Sequence, residues 1–404
     1  LIFTCGLPAA AQTNEENYGQ LEFNFVTPGA RATAMGGAFI GLADDATAAE
    51  SNPAGLVILS RPEVSFEYKF IDSSREMYLD ENSWLENRKS TISDNASIPA
   101  FFSYVHPFER FTLSVYRNET VNFKQSFMTS GPQVGVDDLR LFPVDSSLEM
   151  KLTNLGVGGG FKVTEQFFVG ASVRYSSFDL NTDLTRWDFD RTRVENRSIV
   201  DDSDNAITFN LGMLYTFNTK FSAGWVYRHG GEYDVDWSIV VDPAGANVML
   251  DEKLKFNIPE VYGVGLSWRP LDALVLAFDV VRVNYSELSD NLILIYNTDT
   301  QTKDQYNIDD ATEFHLGGEY TWLVGGMPLS ARAGVYNAPD SSMTFSGDGS
   351  GASEATRIRF PGGDDQVHVT VGTGLVIKDR LQFDAAYDHA DLQKQFSISA
   401  IYRF

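Results

Sequence analysis

A chain of 404 residues, 43% hydrophobic and 21% charged, is too apolar for a disordered tail and too charged for a bundle of membrane helices. No run approaches the ~18 apolar residues that a spanning helix needs, and the net charge of −24 argues against a nucleic-acid partner, whose phosphates it would repel. Aromatics at 13% together with 33 glycines favour pleated structure, where flat rings and bare backbone pack well.

The chain opens with LIFTCGLPAAAQ, an apolar stretch running into Ala9-Ala10-Ala11, which is similar to the end of a secretory signal. Residues 1–11 are therefore expected to be a residual signal peptide cleaved after Ala11. A lipidated Cys5 is the rival reading, for which Thr4 is a poor predecessor; either reading predicts export. Cys5 is also the single cysteine, so internal disulfides and paired thiolate metal sites are excluded.

Residues 12–62 neither alternate nor carry much charge. The stretch PGARATAMGGAFIGLADDATAAESNPAGLVIL is rich in Ala and Gly, which suits a compact segment threaded where backbones approach closely. Its Asn52-Pro53-Ala54-Gly55 quartet predicts a turn, with Asn52 bonding neighbouring backbone and Pro53 fixing the chain direction.

From residue 63 the period becomes two. EVSFEYKF sets Val64, Phe66, Tyr68 and Phe70 against Glu63, Ser65, Glu67 and Lys69, and EFHLGGEYTW and VHVTVGTGL alternate in the same way. Strands are predicted at 63–71, 97–106, 110–123, 147–163, 167–180, 205–217, 220–234, 257–269, 273–285, 312–324, 328–337, 365–377, 380–388 and 395–403, fourteen in all. Short connections alternate with long ones at 72–96, 124–146, 181–204, 235–256, 286–311 and 338–364, and a shorter one closes the set. An even strand number with this asymmetry predicts an all-β, 14-stranded antiparallel transmembrane β-barrel in the bacterial outer membrane, residues 63–404, with residues 12–62 as an N-terminal hatch in its lumen. A soluble sandwich or propeller would leave the export signal and the loop asymmetry unexplained. The aromatic last strand, ending AIYRF, resembles the signal read by the barrel-assembly machinery.

Following each strand's phase inward gives Arg174, Arg228, Asp279, His315, Glu319, Arg332, His368 and Asp384. Glu319 and Arg332 flank a short turn and are positioned to pair. Asp279 is placed inward because an aspartate facing lipid is costly, which leaves Arg282 outward near a loop. These charges either brace the hatch or, at Arg174, Arg228 or Arg332, bind a ligand carboxylate. In the strand at 110–123 the outward row Phe111, Leu113, Val115 breaks at Arg117. A charge there would cost ~2–4 kcal/mol at the bilayer midplane, so either a bulge near Tyr116-Arg117-Asn118 relieves it or Arg117 lies at the headgroups.

The stretch GARATAMGGAFIGLADDATAAESNPAGL resembles the N-terminal hatch of the long-chain fatty-acid transporter (FadL-like) family, and the resemblance continues at residues 258–288, 329–342 and 367–404. It implies passive uptake of a hydrophobic small molecule, caught by extracellular loops and released sideways through a wall opening beside a distorted third strand. In this chain that opening is expected at Tyr116, Arg117 and Asn118, and Asn52, Pro53, Ala54 and Gly55 match the family's hatch motif. The opening stretch is also similar to barrels of the type IX secretion system, so the alternative is a secretion-associated scaffold. For an uptake channel the apolar part of the ligand matters more, since about ten methylenes at ~0.8 kcal/mol each outweigh one charged hydrogen bond of ~1.5–3 kcal/mol.

No His/Cys cluster has metal-ligand spacing and no Ser, His and acid converge, so no enzyme activity, metal or cofactor is expected. The acidic segments VDDL, VDDSD, TDTQTKDQYNIDD and SGDGSGASE are expected to be outward loops, which either keep the surface soluble or bind divalent cations that bridge to lipopolysaccharide. None has the spacing of a dedicated calcium loop.

Overall fold

The computed structural model describes residues 25, 27–80, 88–131, 133–134, 139–140, 142–241, 248–290, 305–346, 360 and 362–404. The expected signal peptide, the start of the hatch, and most of VDDL and SGDGSGASE lie outside them.

The main strands are β1 (Glu63–Met77), β2 (Ser90–Pro107), β3 (Phe111–Met128), β4 (Val144–Lys162), β5 (Phe167–Trp187), β6 (Val194–Asn218), β7 (Phe221–Arg228), β8 (Glu232–Val241), β9 (Val248–Asn257), β10 (Val261–Leu271), β11 (Leu274–Val283), β12 (Ala311–Val324), β13 (Met327–Ala338), β14 (Gln366–Ile377), β15 (Leu381–His389) and β16 (Gln393–Arg403). Sixteen strands join one sheet. Fourteen of them close on themselves, each antiparallel to its neighbour: β6 pairs β7, β7 pairs β10, and β16 returns to β1, with Glu63 opposite Arg403. Closure gives every strand of the ring a partner on both sides, which is the condition for strands to cross a membrane. Outward positions form an apolar belt that includes Phe66, Leu113, Val157, Tyr175, Met213, Leu266, Phe314 and Val369, all exposed.

The other two strands overturn part of the sequence reading. The strand expected at 220–234 stops at Arg228, and the expected loop 235–256 holds a hairpin, β8–β9. The hairpin hangs on the upper end of β6 through Trp237–Val241 opposite Asn196–Val200. Its period-two residues Tyr233, Val235, Trp237, Leu254 and Phe256 are buried against Leu148, Met150, Phe178 and Leu180 of β4 and β5. Phe178 lies 5.2 Å from the Tyr233 ring and 5.3 Å from Phe256. An apolar core therefore fills the long-loop end of the lumen, closed further by a 3-10 turn at Tyr285–Ser289 and by Tyr306 and Phe345. VDDSD, expected in a loop, belongs to β6, because β5 and β6 continue well past the expected strand ends.

Residues 27–62 sit inside the short-turn end of the barrel as two short helices, α1 (Ala30–Ala34) and α2 (Ala48–Ser51), followed by a 3-10 turn at Pro53–Ile58. Almost every residue from Thr27 to Leu56 is buried. Inward glycines of the wall make room for this backbone. A Cβ on Gly317 would lie 2.2 Å from the Met35 carbonyl oxygen, one on Gly224 the same distance from that of Ile40, and one on Gly170 2.2 Å from the Pro53 carbonyl carbon.

Candidate functional site

The hatch is tied to the wall by residues along its described part. Asn52 is fully buried; its Nδ2 donates to the carbonyls of Ile40 (2.9 Å) and Met213 (3.1 Å), while its Oδ1 accepts from the Ala54 amide at 3.2 Å. Asn52 thus caps the 3-10 turn that Pro53 begins. Gly55 packs so closely on Ala43 that a Cβ would lie 2.2 Å from its carbonyl oxygen. Asp279, also fully buried, accepts the Phe39 and Ile40 amides at 2.6 and 2.8 Å.

Glu319 and Arg332 form the pair that their strand positions suggested, at 2.5 Å, and the cluster extends further. Arg332 also bonds Asp384 at 2.8 Å, and Arg31 of α1 joins Glu319 (2.9 Å) to Asp44 (2.5 Å). Gln382 links Asp384 to Arg403, which bonds Glu63 at 2.7 Å. This chain of charges runs round the short-turn mouth. In the hatch, burial works against the charge of Arg31, yet Asp44 and Glu319 raise its proton affinity well above the ordinary value. Burial also pushes the Asp45 carboxyl up, opposed by Arg31 and by hydrogen bonds from Thr47.

A second inward row stacks His315 on Tyr336 (5.1 Å) and Tyr336 on His368 (4.2 Å). Asp388 accepts from the Tyr336 hydroxyl at 2.8 Å and contacts His368 Nδ1 at 2.9 Å, while His315 Nδ1 meets the Gly36 carbonyl at 2.7 Å. Tyr336, Asp388, Arg31 and Glu50 were not singled out from the sequence. The first two lie on the inward phase and were legible there; the hatch residues have no period to reveal them.

Between the hatch and the apolar core lies a cavity lined by apolar Phe25, Ile98, Val121, Phe123, Leu152 and Ile258, and by charged Glu50, Lys69, Glu119, Arg174 and Arg228. Arg174 donates to Glu50 Oε1 (2.9 Å), Thr208 (2.9 Å) and the His229 carbonyl (2.7 Å). Arg228 donates to the carbonyls of Phe25 (3.3 Å) and Ser51 (3.2 Å), and its Nε has no partner among the described residues. Arg332, by contrast, is committed to the mouth cluster. Among the described residues no group of three or more His, Cys, Asp or Glu could hold a metal ion.

The wall beside this cavity is split. β2 pairs β3 only over Phe101–Pro107 and Thr112–Asn118, although both strands continue upward and stay paired on their other sides, β2 to β1 and β3 to β4. Both strands are bulged where the split begins: β3 carries an extra residue at Thr120, and β2 carries one at Pro99-Ala100, opposite Tyr68. Pro99 has no N–H to offer the ladder. Arg117 Nη1 donates instead to its carbonyl at 2.6 Å, and Nη2 bonds Glu119. The bulge therefore lies two residues beyond Asn118, and Arg117 is compensated by these partners. Tyr116 points inward, its hydroxyl donating to Ser172 at 3.0 Å, and Asn118 donates to Thr120.

A family model described as outer membrane protein transport protein (OMPP1/FadL/TodX) matches residues 18–399. Solved structures share the fold. A FadL homologue of Pseudomonas aeruginosa aligns with TM-score 0.69 at 14% identity, covering 95% of this chain and 99% of its own. The toluene transporter TbuX of Ralstonia pickettii aligns at 0.67 and 16% identity, covering 94% and 99%, and the toluene transporter TodX of Pseudomonas putida at 0.64 and 15%, covering 94% and 98%. No curated protein matches. With nearly its whole length matched, the chain belongs to the OMPP1/FadL/TodX family of outer-membrane transport proteins and resides in the bacterial outer membrane.

Proposed function

We propose that this protein takes up hydrophobic small molecules and releases them sideways through the seam between β2 and β3. The observation that carries the reading is the coincidence of that seam with the cavity, which Ile98 of β2 and Val121 and Phe123 of β3 line. A ligand would enter past the apolar core, rest above the hatch, and leave between two strands that no longer bond each other. The seam opens at the upper edge of the apolar belt, where Phe70 and Phe396 on one side and Leu155 and Tyr175 on the other are exposed, so the exit faces lipid. The hatch, held by Asn52, Asp279 and the Arg31 cluster, would deny water a straight path. Its aliphatic contacts would dominate affinity, at ~0.8 kcal/mol per buried methylene.

The family match extends through the C-terminal half, beyond the opening stretch on which the secretion-scaffold alternative rests. The test is accumulation of a hydrophobic dye by cells expressing the protein against cells lacking it, together with native mass spectrometry of the purified barrel. Faster accumulation and one retained hydrophobe per barrel support uptake. No retained hydrophobe, with exported proteins copurifying, would favour the scaffold.

A further inference from the structure

We propose that the outer wall binds one anionic glycerophospholipid of the periplasmic leaflet, with an acyl chain in a groove across β1 and β13–β16 and the phosphate at the turn 378–380. The site lies on the lipid-facing side of the wall and shares no residue with the cavity, so it is independent of the uptake reading.

The groove encloses about 470 Å³ and is almost wholly apolar. A step in side-chain size on the outward positions makes it. Thr373, Ala385 and Ala400 form the floor, and exposed Phe66, Phe383 and Ile398 stand along it. Register sets these residues side by side: Thr373 faces Ala385, Ala385 faces Ile398, and Ala400 lies between Phe383 and Phe66. The Thr373 hydroxyl donates to the Ser330 carbonyl at 2.9 Å, so the floor offers no free donor. The apolar belt around the groove faces lipid, and a hydrocarbon chain is what that surrounding supplies to fill it.

Charge selects the head group. Short turns of outer-membrane barrels face the periplasm. Leu375 and Phe383, both in the groove, lie three residues from Lys378 and Arg380 respectively, a reach of ~10 Å along a strand. Arg61 joins these two, its Nη1 donating to the Asp379 carbonyl at 3.4 Å. All three cations are exposed, and none has an ion pair among the described residues. Asp379 is the acid of the turn, while nearby Glu63 is taken by Arg403. The other short turns, 108–110, 163–166, 219–220, 272–273 and 325–326, carry at most one cation each, so this basic rim is a local exception in a chain of net charge −24. The backbone agrees. Lys378 and Asp379 have φ of 52° and 53°, the left-handed conformation that Gly325 and Gly326 supply in the turn between β12 and β13. Folding alone would favour glycine at 378, so the ammonium there has another use. Ammonium and guanidinium groups bind phosphate directly, and a head group with no cation of its own suits this rim better than a zwitterion. A second copy packed on the same face about a two-fold axis would instead bring the three cations toward their own equivalents.

The test is native mass spectrometry of the full-length barrel with dioleoyl phosphatidylglycerol and dioleoyl phosphatidylethanolamine offered in equal amounts. The expected result is one retained phosphatidylglycerol per barrel, preferred about tenfold over phosphatidylethanolamine. Lys378→Gly combined with Arg380→Gln should remove that preference and, because glycine suits the turn, leave a folded, heat-modifiable barrel. Ala385→Trp, which fills the groove, should abolish retention of both lipids. Equal retention of the two lipids by the native barrel would overturn the proposal, as would an unchanged preference in the double variant or a folded Ala385→Trp that keeps its lipid. A lipid-free dimer would also overturn it, by giving the groove to a second copy. If Ala385→Trp does not fold, the head-group preference of the native barrel and of the double variant decides.

Discussion

Asn52 and Gly212 meet across the wall of the lumen: a Cβ on Gly212 would stand 2.2 Å from Asn52 Oδ1. Hatch and barrel are fitted there with no atom to spare, so Gly212→Val should expel the 3-10 turn from its seat. Asn52→Ala removes three bonds at once and leaves buried carbonyls unpaired, at ~1–3 kcal/mol for each group. Both variants should keep a heat-modifiable barrel while making cells more sensitive to large antibiotics and detergent. Unchanged sensitivity would show that the seat does not hold the plug.

Asp279, three strands round the wall from Gly212, holds the backbone of Phe39 and Ile40. Asp279→Ala strands two amides that bonded a carboxylate, a loss of ~1.5–3 kcal/mol per bond. The N-terminal segment should then become cleavable by added protease at concentrations that spare the native protein, and the barrel itself should resist.

Arg332 serves two carboxylates, Glu319 and Asp384, in the mouth cluster. Arg332→Ala should destabilise by about 3–5 kcal/mol, as expected when one member of a buried pair is removed, and adding Asp384→Asn should return part of that loss. Ligand retention in native mass spectrometry should be unaffected, because Arg332 does not line the cavity. A drop confined to ligands with a carboxylate would contradict this assignment.

Trp237 pins the β8–β9 hairpin, fully buried in the apolar core with its Nε1 bonded to Ser198 at 2.6 Å. Trp237→Ala should cost about 3–5 kcal/mol locally. The expected readout is rapid hydrogen exchange across Glu232–Asn257 with the rest of the barrel protected.

The barrel was legible because lipid on one face and a packed lumen on the other force a period of two, and rows such as Phe314, Leu316 and Tyr320 against His315 and Glu319 carry that period openly. The same phase placed Asp279, Arg332 and Asp384 in the lumen. The hairpin escaped because Tyr233, Val235 and Trp237 alternate with aspartates, and so read as a polar loop when no wall was known for them to cover. The bulge was placed two residues early because Arg117 was weighed against bare lipid, whereas Pro99 and Glu119 satisfy it. Glu50 and Arg31 lie in a segment whose compact turns have no period, so nothing in their spacing marks which side chains reach the wall.

The most direct test of the account is deletion of Thr120 together with Pro99. The β3 ladder steps at Thr120, with Glu119 opposite Thr153 and Val121 opposite Leu152. Without Thr120, inward Tyr116, Asn118, Val121 and Phe123 would alternate without interruption, and once Pro99 of the β2 bulge is deleted as well, β3 could pair with β2 above Asn118. Uptake of a hydrophobic dye by expressing cells should fall to the level of cells lacking the protein, while the purified barrel still retains ligand. Uptake at the native rate through a barrel so straightened would contradict release through the seam.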